Sequence, residues 1–304
     1  MLARTLRRDR ASDLARTHRT GEDRAPPCDG AAVVSSHPAA GSMMDWSQRL
    51  LDRRGSRSVG TGSRGITARG VLGELLLFGF ALGAYYGVRL LVRDSGSETL
   101  ENAAALLRFE SVVNLDWEVP LQRAFLDHLH PIVHLLNFVY AWGYWLALFG
   151  SLGYLYVRHR DVYSGLRNAM IISGLIGLFI FASFPVAPPR LTTMGVIDTV
   201  QIGDSALEKV VRPSGLTNQN AAMPSFHFGW ILLCGVCLSL ALKRRISKTL
   251  VLALPLVMGL TIMVTGNHYT VDAIVGGALA LFALIPWILQ RRRTEKQPYE
   301  LQRV

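Results

Sequence analysis

Read as a pattern of apolar and polar positions, the chain is a polar arm followed by six long apolar runs, 71–92, 132–157, 166–184, 225–242, 250–264 and 270–289. A helix rises 1.5 Å per residue, so about twenty apolar residues cross a hydrocarbon core of about 30 Å. The fifth run meets that length only marginally. Lipid offers backbone groups no hydrogen-bond partner, and no run shows the ten-residue alternation of a barrel strand. The pattern therefore predicts an all-α, polytopic membrane protein with six transmembrane helices in a bundle.

The polar stretches sort around these runs. Residues 1–68 are rich in Arg, Ser, Gly and Ala with little apolar periodicity, and read as a disordered basic arm. No apolar stretch follows Arg7-Arg8 to serve as a secretory or twin-arginine signal, and Met43 or Met44 would serve as an alternative start that leaves a short basic arm. Residues 69–290 form the membrane domain, and 291–304 a basic tail. Within 98–130 a broken helical stripe of Leu106, Leu107, Val113, Leu115, Leu121, Phe125 and Leu129 predicts one or two extracytoplasmic interfacial helices. Pro120 is expected to divide that stretch, and Trp117 to sit at headgroup depth.

Charge sets the orientation. Half of the 304 residues are hydrophobic and 18% are charged, yet the net charge is +10. The cations do not form a docking face for nucleic acid. They crowd the arm, the 158–167 turn, Lys243-Arg244-Arg245 with Lys248, and Arg291-Arg292-Arg293. If the six runs alternate, all these clusters fall on one side, which makes that side, with both termini, cytoplasmic. The expected location is a plasma membrane of the bacterial type. Of the three cysteines, Cys234 and Cys237 lie inside the fourth run without further zinc ligands at suitable spacing, and read as packing residues.

The remaining loops carry the chemistry. His227 opens the fourth run and His268 lies between the fifth and sixth, both on the extracytoplasmic side. The intervening residues run down one helix and back up the next, so both imidazoles return to one level. Ionisable groups at such depth are costly and usually functional. Asp272, four residues after His268, is expected on the same helical face, where its carboxylate would fix the imidazole tautomer. Pro224 suits the first turn of the helix that His227 opens, and Ser225 adds a hydroxyl to the N–H groups of that end. Arg190, after Pro188-Pro189, supplies a planar fork suited to phosphate oxygens.

These strings resemble known motifs. Pro224-Ser225-Phe226-His227 and His268-Tyr269-Thr270-Val271-Asp272 are similar to the second and third signatures of the type-2 phosphatidic acid phosphatase superfamily. Phe184-Pro185-Val186-Ala187-Pro188-Pro189-Arg190 and Gly266-Asn267-His268-Tyr269 resemble its inositol phosphorylceramide synthase branch. Ser183 stands where the superfamily's first motif has lysine, and Thr261-Ile262 where the third opens Ser-Arg.

The resemblance implies phosphoryl transfer without a metal or other cofactor. His268 would attack phosphorus and become a phosphohistidine, oriented by Asp272, while His227 protonates the leaving oxygen. Ser225 and Arg190 would hold phosphate oxygens. The implied partners are a lipid phosphate or phospholipid, a polyol acceptor if the reaction is transfer, and the membrane itself. A competing reading is a lipid-binding or transport protein without catalysis, against which stands the lack of internal repeats and of helices interrupted at the midplane.

Overall fold

A computed structural model describes residues 67–91, 96–202 and 222–300. The chain divides into two units, Met1–Thr61 and Gly62–Val304, and every described residue belongs to the second. The expected disordered arm lies, but for its last two residues, outside the described residues.

In chain order the elements are α1 (Ala68–Leu91), α2 (Gly96–Val112), α3 (Glu118–His128), α4 (His130–Phe138), a π turn (Val139–Gly143), α5 (Tyr144–Arg158), α6 (Arg160–Ser183), a 3-10 turn (Pro189–Leu191), α7 (Thr199–Ile202), α8 (Phe226–Ala241), α9 (Arg245–Val264) and α10 (Thr270–Glu300). No strand occurs among the described residues. The described residues of the six apolar runs lie within these helices or the continuous α4–α5 pair, apart from Phe184, Ser225 and Leu242 at run ends. Four segments are long and apolar enough to cross a membrane: His130–Arg158, Arg160–Ser183, Arg245–Val264 and Thr270–Thr294. They make this an integral membrane protein.

α8 is the exception that organises the rest. It has 16 residues, or about 24 Å of helix, and it packs against α5, α6, α9 and α10. A helix that is apolar on every face belongs in the middle of a bundle. Ile231, Leu233, Cys234 and Cys237 are accordingly buried at the centre of the main core, and both cysteines are free thiols. At the periphery α1 lies against α6, tied by Arg167 donating to Glu74, with Leu75, Leu76 and Phe80 left exposed.

The 98–130 stretch breaks in two, but not at Pro120. The break falls after Val112, where Asn114 adopts a left-handed φ of 56° and the Trp117 indole N–H donates to its carbonyl at 2.9 Å. Pro120 sits in the first turn of α3, where a missing N–H leaves no helical bond unmade. Leu106, Leu107 and Leu115 pack into a second core with Val186, Ala222, Tyr269 and Val271. Val113 and Leu129, from the same predicted stripe, are exposed.

Because the turns at 242–244 and 265–269 are short, α8, α9 and α10 alternate in direction, and the end of α6 meets the start of α8 where Phe181 packs edge-on against Phe226 at 5.5 Å. The end of α6, the start of α8, the end of α9 and the start of α10 therefore meet at one end of the bundle. All five candidate residues lie there.

Candidate active site

The chain reverses between α9 and α10 through a Schellman closure. The Asn267 N–H donates to the Ile262 carbonyl at 3.1 Å and the Gly266 N–H to Met263 at 3.0 Å. Gly266 supplies the required left-handed residue with φ +70°, and a Cβ there would stand 2.7 Å from Val196 Cγ1 and 2.8 Å from the Ile197 carbonyl oxygen. The His268 N–H also reaches Ile262, at 3.2 Å. His268 is thus held by backbone bonds at the end of one helix before the next begins.

His268 does not share a helical face with Asp272. It precedes α10 by two residues, and the pair meets because Asp272 folds back over the helix start. Asp272 Oδ2 accepts the Tyr269 N–H at 2.9 Å, as the third residue of a capping box does, and lies 3.3 Å from His268 Nδ1. The Ala222 carbonyl is closer to Nδ1, at 2.8 Å. A carbonyl only accepts, so Nδ1 carries the proton and, in the neutral ring, the lone pair sits on Nε2.

Two further carboxylates secure the same helix start. Glu118 Oε1 accepts from the Thr270 N–H at 2.6 Å and from its hydroxyl at 2.7 Å, while Glu110 Oε1 accepts from the Val271 N–H at 2.8 Å. Both glutamates are fully buried. The first turn of a helix exposes unsatisfied N–H groups and a positive dipole end, so carboxylates there are favoured. In this way α2 and α3 grip the first turn of α10 and hence Asp272.

Burial pushes the Glu110 carboxyl up to about 8, with Glu118, Asp272 and Asp116 adding in the same direction against the Val271 hydrogen bond. Its folded value exceeds the unfolded one, so the folded chain holds the extra proton. Stability from this group is full below about 4.5 and is lost as pH rises through about 8. Glu110→Gln keeps an acceptor for Val271 without the titration. Thermal midpoints in detergent across that window should fall more steeply for the wild type than for Glu110→Gln; parallel slopes would remove Glu110 as the cause.

Ser225 caps α8 rather than lying within it. Its Oγ accepts the Phe228 N–H at 3.4 Å, and its own N–H donates to the Asp272 carbonyl at 3.0 Å. Pro224 consequently precedes the cap instead of occupying the first turn. The close approach of α8 to α10 depends on Gly276, where a Cβ would overlap the Ser225 carbonyl.

Two residues after Ser225, the His227 ring stands 5.7 Å from the His268 ring, centroid to centroid, at 54°. Tyr140 stacks on His227 at 4.6 Å and 18°, and Tyr144 lies 4.4 Å away at 45°.

Arg190 joins this group through its neighbour. Its Nη1 donates to Asn267 Oδ1 at 3.0 Å, beside His268, and its N–H donates to the Gly266 carbonyl at 3.1 Å. The guanidinium is nearly buried and ion-paired, Nε lying 3.0 Å from Asp198 Oδ2. Arg190 is therefore not a bare fork: Asp198 already offsets its charge. Ser183, at the lysine position of the resembled motif, is exposed and donates back to Phe179 in α6. Among the described residues, no group of three or more His, Cys, Asp or Glu side chains is arranged to hold a metal ion.

Two histidines, one with its tautomer set by a carbonyl and a carboxylate, thus face each other at the end of an apolar bundle. A sequence profile of the PAP2 superfamily matches residues 104–285, from within α2 to within α10. The chain belongs to the PAP2 superfamily. The match spans more than half of the chain and includes all five candidate residues. No curated protein and no solved structure matches the chain. Membership supports a phosphatase-type membrane enzyme.

Within this PAP2 domain, sequence reasoning missed Glu110, Glu118, Tyr140, Tyr144, Asp198 and the Ala222 carbonyl. Glu110 left one signal. It follows Ala103, Leu106 and Leu107 at helical spacing, so a carboxylate occupies the apolar face of α2.

Proposed function

We propose that the protein is a lipid phosphatase or phosphotransferase that passes the phosphoryl group through His268 without a metal ion. The observation that carries this reading is the His268 ring, with Nδ1–H between Ala222 and Asp272 and the His227 ring 5.7 Å away. In the first step the Nε2 lone pair attacks phosphorus and the bond from phosphorus to the leaving oxygen breaks, the lipid oxygen of a lipid phosphate or the headgroup oxygen of a phospholipid. His227 gives its proton to that oxygen, and the alcohol departs. In the second step water or an alcohol gives a proton to His227 and its oxygen attacks the phosphohistidine. The phosphorus–nitrogen bond breaks and restores His268, releasing phosphate when water attacks the group left by a lipid phosphate, or a new phosphodiester when an alcohol attacks the phosphatidyl group left by a phospholipid. Nucleophilic and general acid–base catalysis share the work.

Ser225 and Arg190 are assigned to the phosphate oxygens, Arg190 with its charge moderated by Asp198. Two of the superfamily's phosphate-binding cations are missing, at Ser183 and Ile262, which favours the inositol phosphorylceramide synthase-like branch and a polyol acceptor. All six apolar helices, including the short α8 and peripheral α1, are assigned to the membrane, with α2 and α3 on the extracytoplasmic leaflet. The arginine clusters at the opposite end support an active site outside and both termini in the cytoplasm.

A panel of lipid phosphates and phospholipids, with and without inositol or other polyols, tests this on purified protein. Release of phosphate identifies a phosphatase and formation of a new phospholipid a transferase; EDTA should change neither. The panel repeated with an impermeant substrate on sealed vesicles of known orientation should give turnover without detergent only when the His268 end faces the medium. Absence of turnover throughout would favour lipid binding without catalysis, and loss with EDTA would remove the metal-free mechanism.

A further inference from the structure

The α4–α5 segment contains a π turn at Val139–Gly143, in which the Tyr144 N–H donates to the Val139 carbonyl five residues back. Such a widened turn is rare and is frequently found at functional sites. Here it carries Tyr140 and closes on Tyr144, the two tyrosines that contact His227. Tyr140 lies nearly parallel to the imidazole, and Tyr144, itself buried, closes a second side. Tyr144 is braced in turn by Trp145, edge-on at 4.9 Å. The two tyrosine faces constrain how the His227 ring turns and which way its nitrogens point.

We propose that Tyr140 and Tyr144 are positioning residues that hold His227 in the orientation needed to protonate the leaving oxygen. The proposal rests on the reading of His227 as the general acid. It follows from how demanding that role is. A proton donor must stand within about 2.6–3.2 Å of the departing oxygen. A misplacement of about 1 Å can cost about 10²-fold. On the first turn of α8, the His227 ring is packed against the Tyr140 and Tyr144 rings, which limit how it can turn. The stacked ring faces do this, so ring shape is the property required of Tyr140.

The test compares kcat/KM for an alkyl lipid phosphate with that for p-nitrophenyl phosphate in wild type, Tyr140→Leu, Tyr140→Phe, His227→Ala and the Tyr140→Leu/His227→Ala double variant. An alkoxide needs the proton and an aryl oxide hardly does, so the alkyl-to-aryl ratio reports proton donation. Both esters are measured on one sample, so any misfolded fraction cancels from the ratio.

Tyr140→Leu should lower the ratio about tenfold or more, Tyr140→Phe should keep it within about twofold of wild type, and the double variant should match His227→Ala. Equal losses on both esters in Tyr140→Leu, beside a selective loss in His227→Ala, would overturn the clamp and leave the acid in place. A loss in Tyr140→Phe as large as in Tyr140→Leu would also overturn it, by making the hydroxyl the required group. Equal losses on both esters in His227→Ala would remove the acid role and the clamp together.

Discussion

His268→Ala is expected to abolish turnover, by about 10⁶-fold if the loss matches that of other covalent nucleophiles. No other group in the described site combines an available lone pair with a fixed orientation. His268 owes that orientation to the backbone: its N–H and that of Asn267 close on Ile262, and its Nδ1–H closes on Ala222. The effect of Asp272→Asn follows from the same geometry. In a serine protease triad, changing the orienting Asp to Asn costs about 10⁴-fold because the imidazole adopts the wrong tautomer. Here the Ala222 carbonyl, at 2.8 Å against 3.3 Å for Asp272, holds the tautomer even when the carboxylate is gone. What Asp272→Asn removes is the negative charge beside the imidazole. The expected loss is therefore smaller, about 10²-fold in kcat. Steady-state kinetics of the two variants on one lipid phosphate would measure both, and a 10⁴-fold loss in Asp272→Asn would mean that the carbonyl does not hold the tautomer.

His227→Ala should show the second large effect, and one that depends on the substrate. General acid catalysis contributes about 10²–10⁴-fold when the leaving group is poor. The loss in kcat/KM should approach that range for an alkyl phosphate and be slight for an aryl ester, which departs without a proton. The second step needs His227 as a base whatever the first substrate was. The aryl ester should therefore give a burst of nitrophenol equal to the enzyme concentration, followed by slow turnover. Stopped-flow absorbance separates the two phases. No burst, together with equal losses on both esters, would assign His227 to phosphate binding.

Much of this was legible in the sequence, and what was not has a common cause. Apolar runs of helical length report the solvent each residue needs, which is local information, and each run became a helix. The two histidines could be placed at one end because alternating helices return to one level. The details failed where a partner lies far along the chain. Glu118 caps Thr270 across 152 residues and Glu110 caps Val271 across 161, and no spacing rule joins them. Asp198 meets Arg190 through a loop whose path periodicity does not encode. The His268–Asp272 spacing suggested a shared helical face, whereas the contact comes from Asp272 reaching back over the helix start to the Tyr269 N–H. A four-residue spacing fits both geometries, and only the helix start at Thr270 separates them. Pro120 misled for a related reason: proline breaks a helix in its interior and is tolerated in its first turn.

The most direct test of the central claim is to trap the intermediate. Purified protein mixed briefly with a radiophosphate-labelled lipid phosphate and quenched in alkali should carry an acid-labile, base-stable phosphoryl group. Peptide mapping should place it on the segment containing His268, with more label in His227→Ala given an aryl ester and none in His268→Ala. Sustained wild-type turnover with no label on that segment, or with label on another residue, would contradict the account.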